Sequence, residues 1–339
     1  MALITTLIPA YKPEFLGELL LGLLHQSCRD FKVILSDDSP GEHITGLLRR
    51  GYYGSAVAAL DIECVPGPKH PRLNQRALIE RWNGRSPFVH MHLDDDVIYP
   101  DFYRTHLAAH AAGPFSASVS RRWTSHVDAR PVHGFEWPDF VASSPLRQVP
   151  VDAQTLFQSM LPGCANWMGE FSNMLISATG AAAWPWPRSG EDNYFGWPDV
   201  GFLLEAVQRA PIAVVNEHLS VFRQHSEQTT RKMHNHGGRV SSLAWATYAL
   251  LGWRQGRISA RQAVQAISIN VRQCLQRYGE DDAVINRFLA IVQHEGTSLE
   301  ALYRSYMPFW HGLLASDRAT APRPQLPASS VDAAAAAIA

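Results

Sequence analysis

The sequence lacks any run of about 18 consecutive apolar residues, the length a helix needs to cross a bilayer. Its first residues also lack the basic segment and apolar core of a secretion signal. A cytoplasmic chain is therefore expected. Peripheral contact with the inner face of a membrane stays open, because an interfacial helix needs only one apolar face. Paired cysteines are missing as well: Cys28, Cys64, Cys164 and Cys274 are scattered without a CxxC or zinc-knuckle spacing, which argues for reduced thiols and against a disulfide scaffold. No charge of one sign dominates. With 30 Lys and Arg against 31 Asp and Glu, the net charge of -1 gives no broad electrostatic reason for a nucleic-acid partner, and none is expected.

What is present suits a folded chain. At 339 residues, 46% hydrophobic and 18% charged, it is long enough for one large α/β domain with an appendage and too apolar for disorder. Apolar β-rich runs alternate with amphipathic runs through the first 120 residues, the pattern of a mostly parallel sheet flanked by helices. "ALITTLIPAY", "FKVILSDDS", "ALDIECVPG" and "SPFVHMHL" read as strands, and "EFLGELLLGLLHQ", "EHITGLLRRG" and "RLNQRALIERW" as the helices between them. From Arg121 to Arg188 the pattern is irregular, with Trp123, Trp137, Trp167, Trp184 and Trp186 among prolines and glycines. A helix "DVGFLLEAVQRA" and a strand "PIAVVNE" follow, then a polar stretch. Beyond Gly238, three amphipathic segments predict a helical appendage over 236–315, and the Pro-, Ala- and Ser-rich residues 316–339 read as a disordered tail.

Acids gather at the ends of two strands, where open α/β sheets usually bind ligands: Asp37-Asp38, and Asp94 to Asp96 in "HMHLDDDVIYP". Two-residue alternation would set His90, His92, Asp94 and Asp96 on one face, an arrangement able to hold zinc. Pro100 implies a turn after Val97, which ends the strand near Leu93 and leaves the histidines below the site. The alternative is an Asp94-x-Asp96 pair holding Mn2+ or Mg2+, with phosphate oxygens and water completing the shell.

The ordered set of segments resembles nucleotide-sugar-dependent glycosyltransferases of family 2, which have the GT-A fold. "TTLIPAYKPEFLGELLLGLLHQSCRDFKVILSDDSP" is similar to that family's start, "RLNQRALIERWNGRSPFVHMHLDDDV" to the segment leading into its DxD motif, and "WPDVGFLLEAVQRAPIAVVNEHLSVFRQH" to its acidic helix head and Arg-x-His. The likeness spans residues 3 to 230. Val97 stands where relatives often carry a fourth acid, and Pro198 where many have Glu.

The resemblance implies a metal-dependent, inverting hexosyltransferase over residues 1–235, with a nucleotide half (1–120) and an acceptor half (121–235). It implies that Pro9, Tyr11, Asp37 and Asp38 line the nucleobase and ribose pocket, and that Asp94 and Asp96 hold the metal with Asp95 beside the substrate. Asp199 takes the position of the catalytic base, as well as that of an ordinary helix cap; Asp192 is the competing carboxylate. Arg72 and Asn74 could reach phosphates or merely decorate their helix. Glu170 would shape the acceptor side, Trp197 would lie near the site, and Arg223 and His225 would face the diphosphate or the metal from a loop. A nucleoside-diphosphate sugar, first of all a UDP-sugar, and a hydroxyl acceptor in cell-surface polysaccharide or glycoconjugate synthesis are the implied partners.

Other classes stay open. A zinc hydrolase would use His90 and His92, and a non-catalytic relative would bind nucleotide sugar without turnover. A nucleotidyltransferase should carry a glycine-rich phosphate loop after the first strand, and "LIPAYKPEF" has no glycine.

Overall fold

The structure is a computed structural model that describes residues 2–184, 192–226, 228, 234–296 and 298–316. Trp186 and the expected disordered tail, apart from its first residue Ser316, lie outside the described residues. Four parallel strands open the chain: β1 (Ile4–Ala10), β2 (Phe31–Asp37), β3 (Ile62–Pro66) and β4 (Phe88–Met91). They are followed by β5 (Val97–Ile98), β6 (Ala117–Ser125), β7 (Pro131–Gly134), β8 (Gln148–Val151), β9 (Met174–Ser177) and β10 (Ile212–Arg223). All join one sheet of order β3-β2-β1-β4-β9-β6-β10-β5, with β7 on β6 and β8 on β10. The architecture is the mixed, mostly parallel α/β sheet flanked by helices that the sequence predicts.

Its first helix, Pro13–Leu24, has proline in its first turn, where a missing N–H costs nothing, and buries Phe15, Leu16, Leu19, Leu20 and Leu23 on one face. The stretch 121–188, irregular in sequence, holds four of the strands. Antiparallel β9 is the hinge of the sheet, pairing with β4 on one side and β6 on the other. Residues 236–315, where three helices are predicted, form four: His236–Arg254, Ala260–Tyr278, Ala283–Glu295 and Leu299–Ala315. Pro308 hides the fourth in the sequence by interrupting a helical pattern. The helix forms regardless, because Leu302, Tyr306, Phe309, Trp310, Leu313 and Leu314 bury one face.

These helices share their core with the sheet, since Trp310 and Tyr306 belong to the same apolar cluster as Met91, Val119 and Phe202. Trp310→Ala empties a site 1% exposed and is expected to cost about 3–5 kcal/mol. Urea unfolding followed by circular dichroism should show one transition at a lower midpoint. Two separated transitions would show that the terminal helices fold independently of the sheet.

Candidate active site

Parallel pairing of β2, β1 and β4 brings their carboxyl ends to one edge, and three loops meet there. Asp37 ends β2 and is spent on its own turn: Oδ1 accepts from the Ser39 N–H at 3.0 Å, and Oδ2 from the Thr45 N–H at 2.7 Å. Burial works against its charge, but those donors outweigh it and hold the carboxyl below the usual range. Asp38 accepts from the Lys69 N–H at 2.6 Å, and a side chain at Gly67 would collide with its carboxylate. Pro9 lies in β1 opposite Ser36, and Tyr11, just past the strand, keeps 57% of its surface exposed, a ring available to cover a flat ligand.

The run Asp94 to Asp96 is a buried turn between β4 and β5, and each acid meets a different part of the fold. Asp94 Oδ2 accepts from the backbone N–H groups of Tyr11 at 2.5 Å and Lys12 at 2.7 Å, which closes the end of β1. Asp95 Oδ2 is bonded to the Lys12 ammonium and lies 3.0 Å from His225 Nε2. Asp96 Oδ1 accepts from the Arg223 N–H at 3.1 Å, while its Oδ2 is buried without a partner among the described residues.

The charges follow from this. Burial, then the Asp95 charge, pushes Asp94 up to about 6 and Asp96 up to about 7. Burial acts on Asp95 too, but Lys12 and His225 overcome it and hold that carboxyl low. Lys12 is raised: burial opposes its charge, and Asp94 and Asp95 outweigh the burial.

Arg223 is expected in a loop, yet it closes β10. The register Val221↔Val97 and Ser220↔Ile98 carries it back across the acid turn. Its guanidinium bonds to Glu18, the Val127 carbonyl and, at 2.8 Å, the Asp95 carbonyl, over the Phe15 ring at 4.6 Å. It is a buried clamp behind the acids.

A second acid centre stands beyond β9. Asp199, in the first turn of the helix Pro198–Ala206, accepts from Asn166 Nδ2 at 2.7 Å and from the Val200 N–H at 2.9 Å. Glu170 precedes the turn Phe171–Asn173, whose Ser172 hydroxyl accepts from the Leu93 N–H at 3.0 Å, next to the acid run. That turn carries Glu170 toward both Asp96 and Asp199. Burial first, then the Asp199 charge, pushes Glu170 up to about 8, and burial raises Asp199 as well. Glu170 keeps 25% of its side chain exposed, so it reaches solvent rather than lying sealed in the core.

Beneath the pair lies Arg122, 2% exposed, 3.9 Å from Glu170 Oε1, over Phe135 at 3.6 Å and donating to the Met168 carbonyl at 3.1 Å. Gly169 makes room for it. Its φ of +104° suits glycine, and a Cβ there would strike the guanidinium.

Other expected residues are placed as follows. Arg72 donates to the Gly196 and Gly237 carbonyls and to Ser241 Oγ, tying its helix Pro71–Trp82 to the loop of Gly196 and the first C-terminal helix. Asn74 is buried with its Oδ1 unpartnered. Trp197 caps the helix of Asp199, half-buried, its backbone N–H bonded to the Tyr248 hydroxyl at 2.8 Å. Asp192 sits against the last helix, bonded to Tyr303 and 3.3 Å from His311 Nε2. Trp137, Trp167 and Trp184 are core.

Sequence reasoning passes over Lys12, Arg122, Asn166 and Ser172. Only Lys12 carries a local signal, a cation directly after a strand that ends beside acids. A buried arginine in a β-rich run has none.

His90 is 3.1 Å from the Ser172 carbonyl through Nε2, so that nitrogen carries the proton and Nδ1 accepts from the Tyr103 hydroxyl at 3.0 Å. Burial pushes it down to about 3 and keeps it neutral. His92 stacks on it with centroids 5.0 Å apart and has no partner on either ring nitrogen among the described residues. No group of three or more His, Cys, Asp or Glu among the described residues is arranged to hold a metal ion by itself. The unpartnered Asp96 oxygen nevertheless suits a hard cation whose other positions are filled by phosphate and water.

No family model matches the sequence, and no curated protein matches it significantly. Solved structures do share its fold. S. aureus TarS 1-349 in complex with UDP-GlcNAc superposes with a TM-score of 0.52 at 12% identity, over 91% of this chain and 90% of that one. The mannosyltransferase PcManGT from Pyrobaculum calidifontis, in complex with GDP-Man and Mn2+, gives 0.51 at 10% identity, over 93% and 86%. At these identities the likeness is one of fold: the chain has the GT-A glycosyltransferase fold with C-terminal helices. No helix among the described residues is long and apolar enough to cross a membrane.

Two predictions follow from the geometry of the acids. Gly169→Ala should cost about 1–3 kcal/mol in urea unfolding, because the left-handed backbone is strained and Arg122 must move; an unchanged midpoint would mean that Arg122 is free to shift. Asp94, Asp96 and Glu170 keep protons that the unfolded chain releases near pH 4, so their contribution is present below that pH and is lost as pH rises through their folded values of about 6, 7 and 8. Glu170→Gln should therefore raise the Tm at pH 8 by a few degrees and leave it nearly unchanged at pH 5. Equal melting temperatures for variant and wild type at pH 8 would show that Glu170 is ionised there at no cost.

Proposed function

We propose that this protein is an inverting glycosyltransferase that moves a sugar from a nucleoside-diphosphate sugar to a hydroxyl acceptor. The observation that carries it is the pairing of two acid centres on one sheet edge: Asp94 to Asp96 at the ends of β4 and β1, and Glu170 with Asp199 behind β9. The first suits a diphosphate with its counter-ion and the second a hydroxyl that must lose a proton. The fold supports the reading, and the neighbours bind UDP-GlcNAc and GDP-Man.

Tyr11 and Asp38 would take the base and ribose, the exposed ring over the base and the carboxylate on an N–H or hydroxyl. Asp96, through its unpartnered oxygen, and Asp94 would hold Mn2+ or Mg2+, which when bound supplies charge stabilisation on the leaving diphosphate. His225, fixed on Asp95, borders the same edge. Asp199 would take the acceptor's proton at Oδ2, the oxygen that Asn166 orients. Glu170, raised to about 8, remains largely protonated at neutral pH, and this leaves the negative charge of the pair on Asp199. Arg122 beneath them offsets that charge. Attack from the side opposite the leaving group inverts the anomeric centre.

The hydrolase reading is less well supported. A zinc site on His90 and His92 needs free imidazole nitrogens, and both of those of His90 are engaged. Asp192, the competing base, is held by Tyr303 and His311 on the last helix.

The test is a panel of UDP- and GDP-sugars with Mn2+ or Mg2+, scored for binding and turnover. Asp199→Asn should lower kcat by about 10²–10⁴ while leaving donor binding intact. Asp96→Ala should abolish the metal-dependent part of nucleotide binding. Full transfer by the first variant, or metal-dependent binding retained by the second, would sink the respective assignment.

A further inference from the structure

Lys12 stands at the junction of the strand, the helix and the acids. It follows β1 by two residues and is the N-cap residue of the helix Pro13–Leu24, where its backbone N–H is pinned by Asp94 Oδ2 at 2.7 Å. Its ammonium bonds Asp95 Oδ2 and lies 3.7 Å from Asp94 Oδ1, with 15% of the side chain exposed. The main chain of this residue is therefore fixed, while its charge sits at the end of a four-carbon stem.

The neighbouring basic side chains differ from it. Arg223 is 1% exposed and held by Glu18, the Val127 carbonyl and the Asp95 carbonyl, so turning it outward would break three contacts. His225 is buried between Asp95 and the Phe15 ring, 4.9 Å away. Of these three, Lys12 alone combines a flexible stem with an opening to solvent.

Resting on the donor-site reading above, we propose that Lys12 binds the diphosphate of the nucleotide sugar, and that its ammonium, held on Asp95 and 3.7 Å from Asp94 Oδ1, opposes the divalent cation on Asp94 and Asp96. The physical reason is charge. An ammonium within 4 Å of the carboxylates repels a divalent ion in the same turn, so the acids bind the metal weakly by themselves. A diphosphate changes the balance, because it brings oxygens for the metal and a new anionic partner for the displaced ammonium. Metal and nucleotide then bind with positive coupling, each favouring the release of Lys12 from the acids.

This gives Lys12→Met effects of opposite sign. Mn2+ binding in the absence of nucleotide, read by the loss of the free-ion electron paramagnetic resonance signal, should tighten about tenfold. UDP or GDP binding at saturating Mn2+, read by calorimetry, should weaken about tenfold. Lys12→Arg should restore nucleotide affinity and keep Mn2+ binding weak. Lys12→Gln serves the same comparison if the Met variant does not fold.

Equal affinities in wild type and Met variant overturn the proposal. So does a parallel loss of both ligands, the mark of a lysine that only maintains the turn. If the wild-type protein binds neither nucleotide with Mn2+, the donor-site reading fails and the phosphate role fails with it; the Mn2+ titration without nucleotide reports separately on the opposition between Lys12 and the cation at the acid turn.

Discussion

Three consecutive carboxylates can be buried in one turn only if each finds a different partner, and that constraint organises this molecule. Asp94 takes the two N–H groups at the end of β1, Asp95 takes Lys12 and His225, and Asp96 takes the N–H of Arg223 at the end of β10. The turn thus ties the parallel half of the sheet to the strand at its far side. Short β5, paired antiparallel to β10, sets the register that allows it. The charge pattern has the same origin: the central acid has the cations and stays low, and its neighbours rise because they are buried beside it.

The second acid centre depends on the first through a single 3-10 turn. Ser172 accepts from the N–H of Leu93, the residue before Asp94, and two residues earlier the chain carries Glu170. A shift of the acid turn would therefore move Glu170 against Asp199. Arg122 is a fixed point below, wedged among Phe135, the Met168 carbonyl and the space Gly169 leaves. The buried charge is offset by Glu170 at 3.9 Å and by the Trp167 and Met168 carbonyls that accept from its Nη1.

The βαβα order, the strand ends and the three acid positions were legible in the sequence because apolar periodicity and strand punctuation are local signals. Parts that depend on distant pairing were not. Antiparallel β9 is only Met174–Ser177, and β7 and β8 are as short, too short for periodicity to stand out among tryptophans and glycines. The last helix is masked by Pro308, and Arg223 reads as loop because polar residues follow it directly. Among the acids, Asp37 and Asp38 look equivalent in sequence. The structure separates them: Asp37 caps the turn with both oxygens, whereas Asp38 faces the loop of Lys69.

The histidines of β4 show how a strand can deliver acids without becoming part of their chemistry. His90 and His92 share a face, as two-residue alternation requires, and stack in a file continued by Phe102 and His106. Burial lowers all three imidazoles and keeps them neutral, so they add no positive charge behind the carboxylates. Cations placed there would neutralise Asp94 to Asp96 from the interior and spend their affinity inside the protein. Neutral rings at the back, with Lys12, Arg223 and His225 at the edge, leave the remaining oxygen of Asp96 unpartnered among the described residues. That oxygen is a buried side-chain atom whose desolvation no hydrogen bond among the described residues offsets, and a ligand there would relieve that cost.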